Sequence, residues 1–198
     1  MSEWLTYSLH DLLIFSPDSY FALFEIYNRQ LWPWNVIAVL LALAGFSLLS
    51  QRKIFIQAGM LSLSIIWLFI GMVFMQRYYA QINTLAHGLG WLFIMQSLLM
   101  ILVVLMPACC NVDTVSQRCK SGYLFLLAGL VVFPLLPWWM QRSWQSVEII
   151  GIAPDPTALM TLGLILLSRV GLKVWLLVIP IIWLIVSTLT YMAMALET

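Results

Sequence analysis

The placement of charged residues constrains this chain more than any other feature of its sequence. Every Asp, Glu, Lys, Arg and His lies away from the centres of six long apolar runs. These runs are roughly Leu31–Leu49, Ile54–Gln76, Ile82–Met106, Gly122–Met140, Pro156–Val170 and Leu172–Leu196. A helix of about 20 apolar residues crosses a bilayer, and only 9% of this chain is charged against about 25% in soluble domains. We therefore predict an all-α membrane protein with about six transmembrane helices.

Two short amphipathic helices are predicted before the first apolar run. Met1–Phe15 carries leucines on one helical face and His10 and Asp11 on another, which is typical of a helix lying at the membrane interface. A second helix is expected to begin at Pro17 after a Ser16 cap. Its Glu25 and Arg29 are four residues apart, a spacing that favours an ion pair. Residues 1–30 are thus predicted as an outer-face domain and residues 31–198 as the six-helix bundle.

The distribution of basic residues predicts the orientation of the bundle. Six Lys and Arg residues fall in the three loops of one side and three on the other, which places the first side in the cytoplasm. The two sets are Arg52, Lys53, Arg118, Lys120, Arg169 and Lys173 against Arg29, Arg77 and Arg142. Both termini are then periplasmic, and the longer connections lie on that outer side. We expect any binding site there.

The fifth apolar run begins at a distinctive turn in which Pro154 and Pro156 flank Asp155. Proline suits the first turn of a helix, so Asp155 is predicted to be its N-cap. A helix from Pro156 to Val170 has about fifteen residues and a length of about 22 Å, short of a bilayer core of about 30 Å. Two interpretations are open. Either the apolar segment Ile149–Ala153 dips into the membrane beside a wet cavity, or an ordinary loop precedes a tilted helix.

Polar residues of the outer face are the candidates for a ligand site. We expect them to line a polar vestibule above the start of the fifth run, where a small solute would bind or pass. The candidates are Asp155, Thr157, Arg142, Arg77, Glu25 and Arg29. The three arginines and the helix N-terminus also suit an anion, although Asp155 would repel one. Alternatively, Arg77 and Arg142 anchor the interface or pair with Glu25, Glu148 or Asp155.

Other functional classes find less support in the sequence. His10 and His87 are weak candidates for metal ligands because nothing in their spacing brings them together, and no metal or cofactor is expected. The runs hold no ionisable residue near their centres, which disfavours a proton-coupled transporter. Gln96 and Thr161 suit either a path for a neutral solute or hydrogen bonds between helices. No catalytic motif such as GxSxG or HExxH is present, and no basic cluster indicates nucleic-acid binding.

Several segments resemble one bacterial family of integral membrane proteins. They are Y-S-L-H-D-L-L-I-F-S-P-D-S-Y-F-A-L-F-E-I-Y-N-R-Q-L-W-P, A-Q-I-N-T-L-A-H-G-L-G-W-L-F, G-I-A-P-D-P-T-A-L-M-T-L-G-L-I-L-L and I-P-I-I-W, in this order along nearly the whole chain. The chain resembles the DUF6064 family, which has no established activity, although members are loosely labelled permeases. The resemblance implies a bacterial inner-membrane location. The family pattern often has Cys between the two prolines where this chain has Asp155, so thiol or soft-metal chemistry is not expected there.

Three hypotheses for function follow. The first is a permease-like protein that binds or passes a small solute at a periplasmic vestibule. The second is a non-catalytic accessory or structural subunit that packs against a membrane protein partner or a second copy of the chain. The third is an outer-face membrane enzyme, which the sequence favours least. In each case the lipid bilayer is the surrounding partner.

Overall fold

The computed structural model describes residues 15–47, 53–106, 110–111, 120–170 and 172–195. This part of the chain is almost entirely helical, as predicted. Its helices are α1 (Pro17–Gln30), α2 (Trp34–Ser47), α3 (Lys53–Phe69), α4 (Ala86–Leu105), α5 (Lys120–Trp139), α6 (Pro154–Leu167) and α7 (Lys173–Ala195). Two short strands, β1 (Cys110–Asn111) and β2 (Arg169–Val170), pair antiparallel with Cys110 opposite Val170.

Four helical segments are long and apolar enough to cross a membrane. They are Ile56–Gln81, Ala86–Leu105, Ser121–Trp139 and Lys173–Ala195. The described helix α2 and helix α6 have 14 residues each, about 21 Å at 1.5 Å per residue. The prediction of a helical membrane protein is confirmed at this level, and the count of six spans stays a prediction. The interfacial helix predicted for the first fifteen residues falls almost wholly outside the described residues.

The longest candidate span is not regular throughout. Helix α3 continues into a π-helical segment, Ile70–Tyr78, and a 3₁₀ turn, Tyr79–Gln81, before α4 begins at Ala86. The helical structure therefore continues past Gln76, the predicted end of the second run, and α4 begins four residues after Ile82, the predicted start of the third. Aromatic packing explains the extension, because the Tyr79 ring stacks on Phe74 with centroids 5.9 Å apart.

Helix α1 forms as the sequence predicts and lies against the π-helical segment and the Trp144–Ser146 turn. Ser16 caps it by accepting a hydrogen bond from the Ser19 backbone N–H at 3.3 Å, and Pro17 occupies the first turn. Its apolar face is aromatic and fully buried at Phe24 and Tyr27. Helix α1 is thus part of the hydrophobic core of the described structure.

Helix α6 lies at the centre of the described structure, with eleven of its 14 residues buried. It packs on α5 through glycines that let the two backbones approach closely. A Cβ on Gly163 would lie 2.8 Å from the Gly122 carbonyl oxygen, and one on Gly129 would lie 2.8 Å from the Pro156 carbonyl oxygen. Larger residues at these positions would separate the helices.

The predicted start of this helix was wrong by two residues. Helix α6 begins at Pro154 with Ala153 as its N-cap, so Asp155 lies in the first turn and does not cap it. The physical reason is that the fixed φ of Pro154 already suits a first helical residue, and neither proline needs an N–H partner there. The helix ends at Leu167, three residues before the predicted Val170, because Arg169–Val170 forms β2.

A hydrogen bond between α4 and α7 accounts for one of the polar residues inside the bundle. Pro180 has no N–H, which leaves the carbonyl of Leu176 without its helical partner. Gln96 Nε2 donates to that carbonyl oxygen at 3.0 Å. Thr161 accepts from Trp67 Nε1 at 2.9 Å in a similar contact between α6 and α3. Of the two interpretations of Gln96 and Thr161, the structure supports hydrogen bonds between helices.

Candidate functional site

Two acidic side chains meet in the interior, where α6 begins. Glu148 is 1% exposed and Asp155 is 0% exposed. The segment between them folds into a tight turn in which the Ala153 N–H donates to the Ile149 carbonyl at 2.8 Å. Gly151 adopts a φ of 86° in this turn, a conformation that glycine reaches without strain. The turn brings together two carboxyl groups that are seven residues apart, and the two are close enough to shift each other's pKa.

One face of α7 supplies donors to this carboxyl pair. Trp183 Nε1 donates to Asp155 Oδ1 at 3.0 Å, and the Tyr191 hydroxyl donates to Glu148 Oε1. Ser187 is close enough to Asp155 to offset part of the rise in pKa that burial causes. Trp183, Ser187 and Tyr191 are each four residues apart, so they share one helical face. This face of α7 therefore holds both carboxyl groups in place.

Arg142 is the cation that faces the pair. Its guanidinium lies over the Phe21 ring, 3.9 Å from the ring centroid, and its Nε and Nη1 are buried without a hydrogen-bond partner. Burial raises the pKa of Glu148, and the neighbouring Asp155 raises it further, whereas the Tyr191 hydrogen bond and the Arg142 charge lower it. The net effect is a raised pKa for Glu148.

Helix α1 fixes the segment that carries Glu148. Asn28 Nδ2 donates to the backbone carbonyls of Gln145 and Val147 at 2.8 and 2.7 Å, and the Tyr27 hydroxyl donates to the Ile152 carbonyl at 3.2 Å. The segment therefore has a defined path between α1 on one side and the carboxyl pair on the other.

Thr157 completes the turn from within α6. Its Oγ1 accepts from the Gly151 N–H at 3.2 Å and donates to the Ala153 carbonyl at 2.7 Å. Because the side chain is also fully buried, its hydroxyl is committed to the protein itself.

An open groove of about 570 Å³ lies on the other side of the same segment. It is bounded by α1, α2 and residues 144–149, and most of its lining is apolar. Its lining residues are Glu25, Asn28, Arg29, Trp32, Asn35, Val36, Val39, Leu40, Trp144, Gln145, Val147 and Ile149. The indoles of Trp32 and Trp144 are 66% and 60% exposed at its edges. The groove thus combines aromatic surfaces with a small polar end.

The polar end of the groove has unused acceptor capacity. Arg29 donates through Nη2 to Gln145 Oε1 at 3.2 Å, so its guanidinium is already engaged. The Glu25 carboxylate lines the groove, whereas Asn28 Oδ1, which has no hydrogen-bond partner, is itself buried. The Glu25 carboxylate suits a ligand that donates hydrogen bonds.

The predicted site residues lie in separate parts of the structure. Asp155 and Arg142 belong to the buried cluster, whereas Glu25 and Arg29 line the groove. Arg77 is exposed near the end of the π-helical segment. The buried side chains of Asp155 and Thr157 do not reach the groove, so the predicted vestibule residues are brought together only in part.

The weak metal candidates also lie apart from the cluster. His87 is exposed on α4 and its Nδ1 hydrogen-bonds Gln76 Oε1, while His10 lies outside the described residues. Within the described ranges, no group of three or more His, Cys, Asp or Glu side chains is arranged to hold a metal ion.

Sequence reasoning missed the contribution of α7 to the cluster. The sequence alone assigns no role to Trp183, Ser187 or Tyr191. The spacing of four residues between Trp183, Ser187 and Tyr191 is a usable signal, because polar atoms on one face of an apolar helix need partners. That signal alone does not identify the acids that they contact.

Comparison with known proteins places the chain in a family. No curated protein and no solved structure shows significant similarity to it. A family described as of unknown function, DUF6064, matches residues 17–196, which include every element described above. This chain is a member of the DUF6064 family.

Proposed function

We propose that this protein is a multi-pass protein of the bacterial inner membrane that binds a small organic ammonium ion in the groove between α1 and α2. In this proposal the groove opens to the periplasm, as the distribution of basic residues predicts. The observation that carries the proposal is the Glu25 carboxylate in a groove that is also lined by two exposed indoles, Trp32 and Trp144.

The chemistry of the groove supports a cation with an apolar body. Indole faces attract cations, and partly exposed contacts of this kind contribute about 0.5–1 kcal/mol each. An ammonium group carries a positive charge and donates hydrogen bonds, which matches the Glu25 carboxylate that lines the groove. The apolar lining from α2, including Val36, Val39 and Leu40, suits the hydrocarbon part of such a ligand. The proposal concerns binding of the ion. Passage of the bound ion across the membrane would be a further step that begins at the same site.

Thermal unfolding of the full-length protein in nanodiscs tests this proposal. A series of small alkylammonium ions is expected to raise the unfolding temperature, whereas alkyl alcohols and carboxylates of equal size are not. Glu25→Gln should weaken ammonium binding about fivefold, since one charge contact near a surface is worth about 1 kcal/mol. Asp18→Asn removes the same charge from an exposed position on the same helix and should leave binding unchanged. Equal stabilisation by the neutral and cationic series would overturn the proposal.

A second candidate, an accessory subunit, is favoured by one observation. Asp155 and Thr157 are fully buried, as expected of residues that hold the fold together and do not contact a solute. This alternative predicts that the purified protein carries a stoichiometric membrane partner and that none of the ammonium ions stabilises it. Gentle purification followed by mass spectrometry of the intact complex distinguishes the two candidates.

A further inference from the structure

Two oxygen atoms in the buried cluster lack donors. Glu148 Oε2 and Asp155 Oδ2 are buried without a partner, while the other oxygen of each carboxyl group accepts from Tyr191 or Trp183. The two carboxyl groups lie close enough to shift each other's pKa, yet two ionised carboxylates have no hydrogen to donate to each other. The contact becomes a hydrogen bond only when one of the groups is protonated.

The charges of the cluster lead to the same requirement. In the described part of the chain, Arg142 is the cation that faces the pair, so two carboxylates and one guanidinium carry a net charge of about −1. An uncompensated charge in a buried site is costly, and such groups bind or release a proton to avoid it. A single added proton makes the cluster neutral.

We propose that Glu148 and Asp155 together form a proton-binding site that holds one proton between Glu148 Oε2 and Asp155 Oδ2. The proton is taken up from water and converts two carboxylates into one carboxyl group bonded to one carboxylate. Asp155 accepts from the Trp183 indole N–H, and Ser187 beside it also favours the ionised form, so Asp155 is the better stabilised anion. Glu148 therefore carries the proton and donates it to Asp155.

The groups around the pair favour a proton over a metal ion. Besides Arg142, the titratable groups that face it are Tyr20 of α1, Tyr79 of the 3₁₀ turn and Tyr191 of α7. A tyrosine is neutral near pH 7 and offers an O–H donor, as Trp183 offers an N–H. Donors directed at the carboxyl oxygens compete with a metal ion, and the Arg142 guanidinium repels one.

The pH dependence of stability tests the proposal without any solute, so its outcome is independent of the proposed groove ligand. Because the pKa of Glu148 is raised in the folded protein, the native state keeps a proton that the unfolded chain has released. The proton-linked stability is full below the unfolded pKa of glutamate and is lost as pH rises through the folded pKa. Between the unfolded and the folded pKa of Glu148, unfolding releases one proton, so the unfolding constant rises about tenfold per pH unit.

The informative variant is Glu148→Gln in the full-length protein. Its amide N–H₂ can donate to Asp155 where the carboxyl O–H did, and its Oε1 can still accept from Tyr191. We expect this variant to fold and its pH slope to fall by one proton, whereas Glu25→Gln keeps the slope of the wild type. An unchanged slope in Glu148→Gln would overturn the proposal.

If Glu148→Gln does not fold, infrared spectroscopy of the wild type tests the proposal instead. A protonated carboxyl group has a C=O stretching band separate from the carboxylate bands. We expect one such band to persist at neutral pH, where exposed Asp and Glu side chains are ionised. A spectrum at neutral pH with carboxylate bands alone would contradict the proposal.

Discussion

Trp183 on α7 donates its indole N–H to Asp155 Oδ1 on α6 at 3.0 Å, in a contact that spans 28 residues of sequence. Both side chains are buried, at 3% and 0% exposure. The bond ties the start of the short central helix to one of the four helices long enough to cross a membrane. It leaves Asp155 Oδ2 as the oxygen without a hydrogen-bond donor.

Loss of this indole donor should destabilise the protein. Trp183→Phe keeps an aromatic ring but leaves Asp155 Oδ1 without its indole donor in a buried site. Removing one partner of a buried acceptor costs about 1–3 kcal/mol, so we expect a loss of about 2 kcal/mol in the free energy of unfolding. The matched control is Trp175→Phe, the same change at a 64% exposed position of the same helix. Equal losses in both variants, measured by chemical unfolding in mixed micelles, would contradict the importance of the bond.

The contact between α5 and α6 predicts a strong dependence on glycine. In Gly163→Ala the new methyl group would lie 2.8 Å from the Gly122 carbonyl oxygen, which forces the helices apart. Overpacking of this kind costs about 1–3 kcal/mol. Gly88→Ala on α4 adds the same methyl group where no atom lies within 4 Å, and it should be neutral or slightly stabilising. Thermal unfolding of both variants checks the difference, and a neutral Gly163→Ala would refute the close packing.

Gln96 and Pro180 should be coupled energetically although they are on different helices. Gln96→Leu leaves the Leu176 carbonyl without a partner, and we expect a loss of about 0.5–1.5 kcal/mol. Pro180→Ala restores an N–H to α7, which can then bond that carbonyl within the helix. In the Pro180→Ala background the loss on Gln96→Leu should therefore shrink. A double-mutant cycle measures this, and a coupling energy of zero would show that Gln96 does not serve the proline kink.

The segment that carries Glu148 should open when the carboxyl pair loses its proton. Asn28 holds the Gln145 and Val147 carbonyls of this segment, and Glu148 joins it to the interior. Hydrogen exchange of residues 145–153, corrected for the intrinsic effect of pH, is expected to speed up in the wild type as pH rises. In Glu148→Gln the corrected rates should stay constant with pH. The same pH dependence in both proteins would show that protonation of Glu148 does not control the opening of this segment.

Local sequence rules predicted the parts of the fold that depend on neighbouring residues. The apolar runs indicated the long helices, and Ser16 with Pro17 indicated the start of α1, which the structure confirms. The same rules misplaced the start of α6 because either proline suits the first turn, and a choice between them depends on tertiary packing. They also missed the helical turns at Tyr79–Gln81, which aromatic contacts with other parts of the chain support.

The candidate site was harder to predict because its parts come from distant segments. The sequence presents Asp155 and Arg142 as polar residues of the outer face, but the burial of Asp155 and of the Arg142 atoms Nε and Nη1 depends on contacts with α7 and α1. The sequence has no ionisable residue at the centre of an apolar run, yet the turn after Glu148 brings a carboxyl pair into the interior. Hydropathy along a single segment does not reveal such a contact.

In the proposed arrangement, an open outer groove and a sealed carboxyl cluster lie on opposite sides of one segment. Thiol accessibility at one position on each side tests this arrangement. The experiment uses Gln145→Cys and Asp155→Cys in a full-length background without Cys109, Cys110 and Cys119, labelled in cells from outside with a membrane-impermeant reagent. We expect rapid labelling at the exposed position 145, slowed by alkylammonium ions, and no labelling at position 155 in folded protein. Rapid labelling at position 155, or none at position 145, would contradict it.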